Sequence, residues 1–165
     1  MGTVYLNGEY LGADEAKISP MDRGFLFGDG IYEVIPSYQG KMLGFGAHIE
    51  RMNNGLNELE IKLDYSADTW RKICNDLCEK NQGDNLGIYL HVSRGADTKR
   101  AHGYPTNITP TVFAFAFEIP AEPQGDIDNA TTYTVSLEQD RRWQRCHIKS
   151  TALLGNVIHY QHGAA

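Results

Sequence analysis

A single lysine, Lys149, lies where a cationic segment gives way to an apolar one. Three arginines and a histidine precede it between residues 141 and 147, and Ala152-Leu153-Leu154 follows it. Nearby cations and apolar surroundings both disfavour the ammonium form of a lysine. A neutral lysine amine is a nucleophile that forms Schiff bases with aldehydes. The alternative is a lysine whose stem packs on the protein while its head reaches water.

Further side chains have the chemistry to bind anions. Arg51 lies beside the apolar stripe of a predicted helix, where it could present a fixed fork to a phosphate or carboxylate, or could simply be a solvated helix edge. Arg100 and His102 lie one residue apart in a long polar loop. A forked donor and a second donor suit a carboxylate, although spacing alone equally describes an exposed charged loop. Tyr32 begins a strand, where tyrosines commonly serve packing.

The segment from Gly24 to Gly30 contains three glycines. It lacks the lysine of a P-loop and leads into a strand, so the anion site of a helix N-terminus is not predicted there. We interpret it as a turn whose glycines let backbone pass closely.

Length and composition restrict the class of protein. A chain of 165 residues allows one ordinary domain, or one small domain and part of another. The net charge of −6 argues against nucleic acid as the main partner. Cys74, Cys78 and Cys146 form no CxxC pair, so neither a zinc site nor a disulfide framework is indicated. Without a secretory leader or a membrane-length apolar run, an odd cysteine count favours the cytoplasm.

The elements that would position these side chains can be read from local patterns. Asn7-Gly8 and Gln39-Gly40 each separate two strand-like runs and predict two hairpins. Ala47 to Leu59 has a helical apolar period, and Ser66 predicts the N-cap of a second helix. Two further strands are predicted, at Leu86 to Arg94 and Thr111 to Phe117.

These elements predict an α+β (α/β two-layer) fold. The first domain is predicted at residues 1–118, followed by a linker at 119–127 that is rich in proline and acidic residues. Residues 128–165 would begin a second domain, with a strand from Thr131 to Leu137 and a helix from Leu153. So short a segment cannot bury a core of its own.

The order of the motifs is more specific than any one of them. The motifs are Asp22-Arg23-Gly24, Phe27-Gly28-Asp29-Gly30, Tyr32-Glu33, His48-Ile49-Glu50-Arg51, Arg100-Ala101-His102, Arg142-Trp143 and Lys149-Ser150. Together they resemble the class IV (fold-type IV) pyridoxal-phosphate aminotransferases over essentially the whole chain. The best match is the D-amino-acid aminotransferase branch, which the arginine-alanine-histidine motif separates from its relatives.

The resemblance implies a role for each matching residue in the cofactor site. Lys149 matches the lysine that binds pyridoxal 5'-phosphate covalently and later moves the proton between the substrate α-carbon and the cofactor. Arg51 matches a ligand of the cofactor phosphate, and Arg142 matches a supporting position near the cofactor. Glu33 also matches the family pattern, without an assigned chemistry.

The resemblance further implies how substrate is held. Tyr32, Arg100 and His102 match the residues that grip the substrate α-carboxylate. In the family the arginine and the histidine come from the neighbouring subunit, which implies a homodimer. The implied reaction moves the amino group of a D-amino acid to a 2-oxo acid.

Family members continue well beyond the length of this chain. The resemblance therefore implies a complete small N-terminal domain and only the start of the cofactor domain, with the acidic partner of the pyridine nitrogen beyond Ala165. Two alternatives stay open. One is another fold-type IV enzyme, namely a branched-chain or amine aminotransferase or an aminodeoxychorismate lyase. The other is a non-catalytic domain that dimerises or binds an anion.

Overall fold

A computed structural model describes residues 2–135, 137, 139–140 and 143–164. Its strands are β1 (Thr3–Leu6), β2 (Glu9–Gly12), β3 (Gly30–Tyr38), β4 (Lys41–Met42), β5 (Asn85–Ser93) and β6 (Thr111–Glu118). Its helices are α1 (Arg23–Phe27), α2 (Phe45–Glu58), α3 (Ala67–Asn81) and α4 (Leu154–Ala164), with a short 3-10 turn at Ile127–Asn129. The mixture of helix and sheet confirms the predicted α+β class. None of the helices in the described ranges is long and apolar enough to cross a membrane.

The strands form one antiparallel sheet in the order β2-β1-β6-β5-β3-β4. Alternate residues of β5, including Ile88, Leu90 and Val92, are fully buried, as the alternation in the sequence predicts. They belong to one apolar cluster with residues of β3, α2 and α3. The two long helices therefore cover one face of the sheet, which is the two-layer arrangement.

Local signals predicted the turns and the helix ends correctly. Asn7 and Gly8 have φ angles of 50° and 102°, and Gln39 and Gly40 have φ angles of 49° and 76°, as tight hairpins require. The Ser66 side chain accepts a hydrogen bond from the Thr69 amide at the start of α3.

The apolar stripes of both long helices are buried as predicted. Ile49, Met52 and Leu56 of α2 are at most 4% exposed, and Trp70 and Leu77 of α3 are fully buried. Helix α2 begins at Phe45, two positions before the predicted start at residue 47, because Phe45 itself packs into the core.

One local prediction was incomplete and another was wrong. The segment after Asp22 is not only a turn: residues 23–27 form the short helix α1, because the Asp22 carboxylate caps it by accepting from the Gly24 amide. The strand predicted from Thr131 to Leu137 is absent from the described residues of that stretch. Val135 and Leu137 are 79% and 98% exposed there, and an apolar alternation forms a strand only where another strand pairs with it.

After β6 the chain has no regular structure from residue 119 to residue 126. Helix α4 follows close to the predicted start at Leu153. The division into domains at 118 and 128 stays a prediction.

The face of the sheet opposite the helices carries a row of aromatic rings. Tyr32 stacks on Tyr89 with ring centroids 5.7 Å apart, and Tyr89 contacts Phe115 at 5.0 Å. Phe113 and Phe117 lie on either side of Phe115, at 5.6 Å and 5.9 Å. Because side chains alternate along β3, Tyr32 belongs to this open face, whereas Glu33 points toward the helices.

Candidate active site

The segment that contains Lys149 is attached to the outer edge of β3. The Tyr32 amide donates to the Lys149 carbonyl at 3.0 Å, and the Thr151 amide donates to the Gly30 carbonyl at 3.0 Å. Ile148 is 3% exposed and belongs to the main apolar core. Backbone pairing and one buried side chain thus fix the position of Lys149 relative to the strand.

The approach of this segment depends on Gly28. Its φ angle is +65°, which favours glycine. A Cβ atom at this position would also lie 2.9 Å from the Cβ of Ala152. The sequence reading of this region as a place where backbone passes closely is therefore confirmed, and the passing backbone is the lysine segment.

The Lys149 side chain meets Tyr32 beside a cavity. Its Nζ lies 4.0 Å from the centre of the Tyr32 ring, which is within the range of a cation–π contact. The cavity has a volume of about 370 Å³, and its lining includes Tyr32, Trp143, Cys146, Lys149, Ser150 and Asn156. This volume lies in the range of small-molecule sites.

Two polar side chains next to Tyr32 on the open face, those of Tyr89 and His91, were not predicted as site residues from the sequence. The Tyr89 hydroxyl and His91 Nδ1 lie 3.1 Å apart. Burial, with a smaller contribution from Tyr32, raises the pKa of Tyr89 to about 12. Burial also lowers the pKa of His91, and Asp22 opposes this only in part. Tyr89 and His91 are therefore neutral near pH 7. The sequence could have indicated this pair, because residues 89 and 91 lie on the same face of the strand from Asn85 to Ser93.

Glu33 anchors Arg51 from the helix side of the sheet. Glu33 is fully buried, and Arg51 Nε and Nη2 donate to its two carboxylate oxygens, each at 2.6 Å. His48 Nδ1 lies 2.7 Å from Glu33 Oε2. The hydrogen bond from Arg51 to Glu33 holds the pKa of Arg51 above its ordinary value. The carboxylate thus fixes the guanidinium, and Nη1 makes no hydrogen bond within the part of the chain that the structure describes.

The sequence contained a signal for this group. Glu33 occupies an inward position of β3 between two fully buried isoleucines, Ile31 and Ile35. A carboxylate buried among apolar residues requires a cation or hydrogen-bond donors. Its partners, Arg51 and His48, are one helical turn apart on α2.

Arg100 and His102 lie on a different part of the molecule. Both are exposed, and both contact Phe27 of α1: the Arg100 Cζ lies 5.0 Å from its ring centre, and the ring centroids of His102 and Phe27 lie 5.3 Å apart. Neither of them lines the Lys149 cavity.

Of the predicted site residues, the structure brings Tyr32 and Lys149 together. Arg51 does not line their cavity, and it approaches β3 from the opposite face. Arg142 lies outside the residues that the structure describes. The individual roles of all these residues stay predictions.

Residues 30–164 match the family described as amino-transferase class IV. The chain belongs to this family. Class IV aminotransferases among the curated relatives include a D-alanine aminotransferase from Staphylococcus haemolyticus, 38% identical over 159 residues, which cover 96% of this chain and 55% of the relative. A D-alanine aminotransferase from Listeria innocua is 33% identical over 94% of this chain and 53% of its own length. The chain spans about half the length of these relatives.

Solved structures share the fold. A branched-chain amino acid aminotransferase from Escherichia coli superimposes with a TM-score of 0.67 and 21% identity over 72% of this chain and 41% of that protein. A branched-chain aminotransferase from Thermoproteus uzoniensis, solved with norvaline, superimposes with a TM-score of 0.61 and 18% identity over 72% of this chain and 41% of that protein. At this identity the likeness establishes the class IV fold alone.

Proposed function

We propose that the protein containing this chain is a pyridoxal-phosphate-dependent aminotransferase that moves the amino group of a D-amino acid to a 2-oxo acid. The observation that carries the proposal is the position of Lys149. Its amine is held by backbone pairing at the edge of β3, beside Tyr32 and a cavity large enough for a small molecule.

The donor groups fit this cofactor. Pyridoxal phosphate has an aldehyde, which a lysine amine binds covalently, and a phosphate, which suits a fixed guanidinium. Lys149 supplies the amine. Glu33 binds Nε and Nη2 of Arg51 and so orients the guanidinium on the other face of β3, and Nη1 is the donor that would bind the phosphate. Bound there, the cofactor supplies the electron sink for the reaction. Lys149 Nζ then takes and returns the proton of the substrate α-carbon, and Arg142 has a supporting role near the cofactor.

The substrate class follows from the carboxylate-binding residues. We propose that Tyr32, Arg100 and His102 hold the α-carboxylate, with the last two supplied by a neighbouring copy of the chain in a homodimer. The absence of Arg100 and His102 from the lining of the Lys149 cavity is in accord with a contribution from a second subunit. The names of the curated relatives support D-alanine as a substrate to test first.

The decisive experiment measures transamination by the full-length protein. With pyridoxal phosphate, D-alanine and 2-oxoglutarate, we expect pyruvate to form, and we expect far less with L-alanine. Borohydride reduction followed by peptide mapping should place the cofactor on Lys149, with K149A as the matched control. Cofactor trapped at scattered lysines, or equal rates with both enantiomers, would contradict the proposal.

A further inference from the structure

Helix α1 and the polar loop at residues 95–109 are joined by a buried ion cluster. Its members are Arg23, Asp29 and Arg94, and both arginines are 3% exposed. Arg23 Nε and Arg94 Nε each donate to Asp29 Oδ2 at 2.8 Å, and Arg94 Nη2 donates to Asp29 Oδ1 at 3.0 Å. Burial alone would raise the pKa of Asp29, but the hydrogen bonds from the two arginines hold it below its ordinary value.

Arg23 uses its other two nitrogens on the loop. Its Nη1 donates to the Ala101 carbonyl at 2.6 Å, and its Nη2 donates to the His102 carbonyl at 3.2 Å. One buried guanidinium, whose orientation Asp29 fixes, therefore holds the backbone of two consecutive loop residues.

Phe27, one helical turn after Arg23, holds the side chains of the same loop. Arg100 and His102 both contact its ring, and the Arg23 guanidinium lies 4.9 Å from the ring centre. Cation–π and ring contacts of this kind restrict a side chain without using its hydrogen-bond donors. Among the residues that the structure describes, none accepts a side-chain hydrogen bond from Arg100 or His102, so these donors can serve a ligand.

The loop needs this support. It contains little regular structure, and exposed loops of this length are ordinarily mobile. A forked contact to a carboxylate requires the donors to be held close to one geometry. We propose that Arg23 is a positioning residue for carboxylate recognition, acting through the backbone of Ala101 and His102, with Phe27 as its side-chain counterpart. This inference rests on the proposed function.

The test compares R23K with R94K in the full-length protein. Both changes replace a guanidinium at Asp29 with an ammonium, but the two arginines hold different groups. Arg23 bonds the carbonyls of Ala101 and His102, whereas Arg94 bonds the Leu59 carbonyl and lies 3.6 Å from the ring centre of Tyr104. We expect R23K to raise the KM for D-alanine and for 2-oxoglutarate about tenfold, as the loss of one charge-assisted contact implies, with kcat much less affected. In R94K both KM values should rise much less than in R23K, because the contacts of Arg23 with Ala101 and His102 are kept.

A second readout does not depend on activity. Lys99 and Arg100 are exposed, and release of the loop should let the backbone around them adopt the extended shape that a protease binds, so trypsin should cleave R23K there faster than R94K. If R23K does not fold, F27L tests the same idea, because it keeps the ion cluster and should raise KM about threefold.

Equal KM values and equal cleavage rates for R23K and R94K would overturn the positioning role while leaving the proposed function intact. A wild type that does not transaminate D-alanine would overturn both.

Discussion

The buried carboxylate of Glu33 should stabilise the packing of α2 on β3, because it binds side chains of both His48 and Arg51. The perturbation is E33Q, which keeps the shape of the side chain and removes its charge. In the wild type, three nitrogens from Arg51 and His48 surround the two carboxylate oxygens at 2.6–2.7 Å. An amide supplies only one acceptor oxygen, and in either orientation its NH2 group would face a donor nitrogen of Arg51.

The expected loss can be worked from these contacts. A hydrogen bond to a charged group contributes about 1.5–3 kcal/mol, and removing one partner of a buried pair costs more. The Arg51 side chain is 49% exposed, so water can solvate its charge after the change, which lowers the cost. We therefore expect the free energy of unfolding to fall by about 2–3 kcal/mol.

Urea unfolding of the full-length protein, followed by tryptophan fluorescence, measures this loss. Trp70 is fully buried in α3 and reports on the first domain. The midpoint should fall by about 1 M urea. The matched control is E50Q, the same chemical change at an exposed position of α2, which should change stability by less than about 0.5 kcal/mol. If E33Q and E50Q unfold at the same urea concentration, the buried carboxylate does not stabilise the packing of α2 on β3.

Three further predictions concern other parts of the site. G28A should destabilise the protein by about 1–2 kcal/mol, because the φ angle at this position is +65° and the added Cβ would meet Ala152. It should also reduce borohydride trapping of pyridoxal phosphate on Lys149, and unchanged trapping would show that the position of the lysine segment does not depend on Gly28. D29N should destabilise by about 3 kcal/mol at pH 7, since it strands two buried arginines. Because the pKa of Asp29 is lowered in the folded protein, its carboxylate stabilises the fold fully above about pH 4, and this stabilisation is lost as the pH falls through the folded-state pKa. The urea midpoints of the wild type and D29N should therefore converge in acid, and a difference that stays constant with pH would refute this. Mixing K149A with R100A, each nearly inactive alone, should restore about a quarter of wild-type activity if a homodimer shares the site, and no recovery would count against shared sites.

Much of the fold could be predicted because its signals are local. Asn7-Gly8 supplies the positive φ angles of a hairpin, and Ser66 supplies the acceptor that starts α3. The spacing of Ile49, Met52 and Leu56 places one face of α2 against the sheet. Each of these needs only residues within one or two turns of backbone.

What could not be predicted depends on partners distant in sequence. The exposed alternation ending at Leu137 has the period of a strand, yet pairing is decided by a neighbour that the sequence pattern does not specify. Arg23 is an ordinary residue of a glycine-rich motif until the fold brings it to Ala101 and His102. The same holds for Glu33, whose partners come from another element.

The pairing of the lysine segment with β3 has a consequence for solubility. The outer edge of β3 would otherwise present unpaired backbone groups near Gly30 and Tyr32, and such an edge is a template for aggregation. The amide of Thr151 and the carbonyl of Lys149 occupy those groups. The segment that contains Lys149 therefore also prevents other chains from pairing with this edge of the sheet. A substitution that detaches it removes the amine from the site and uncovers a sticky edge at once, so inactivity and aggregation would arise as one defect.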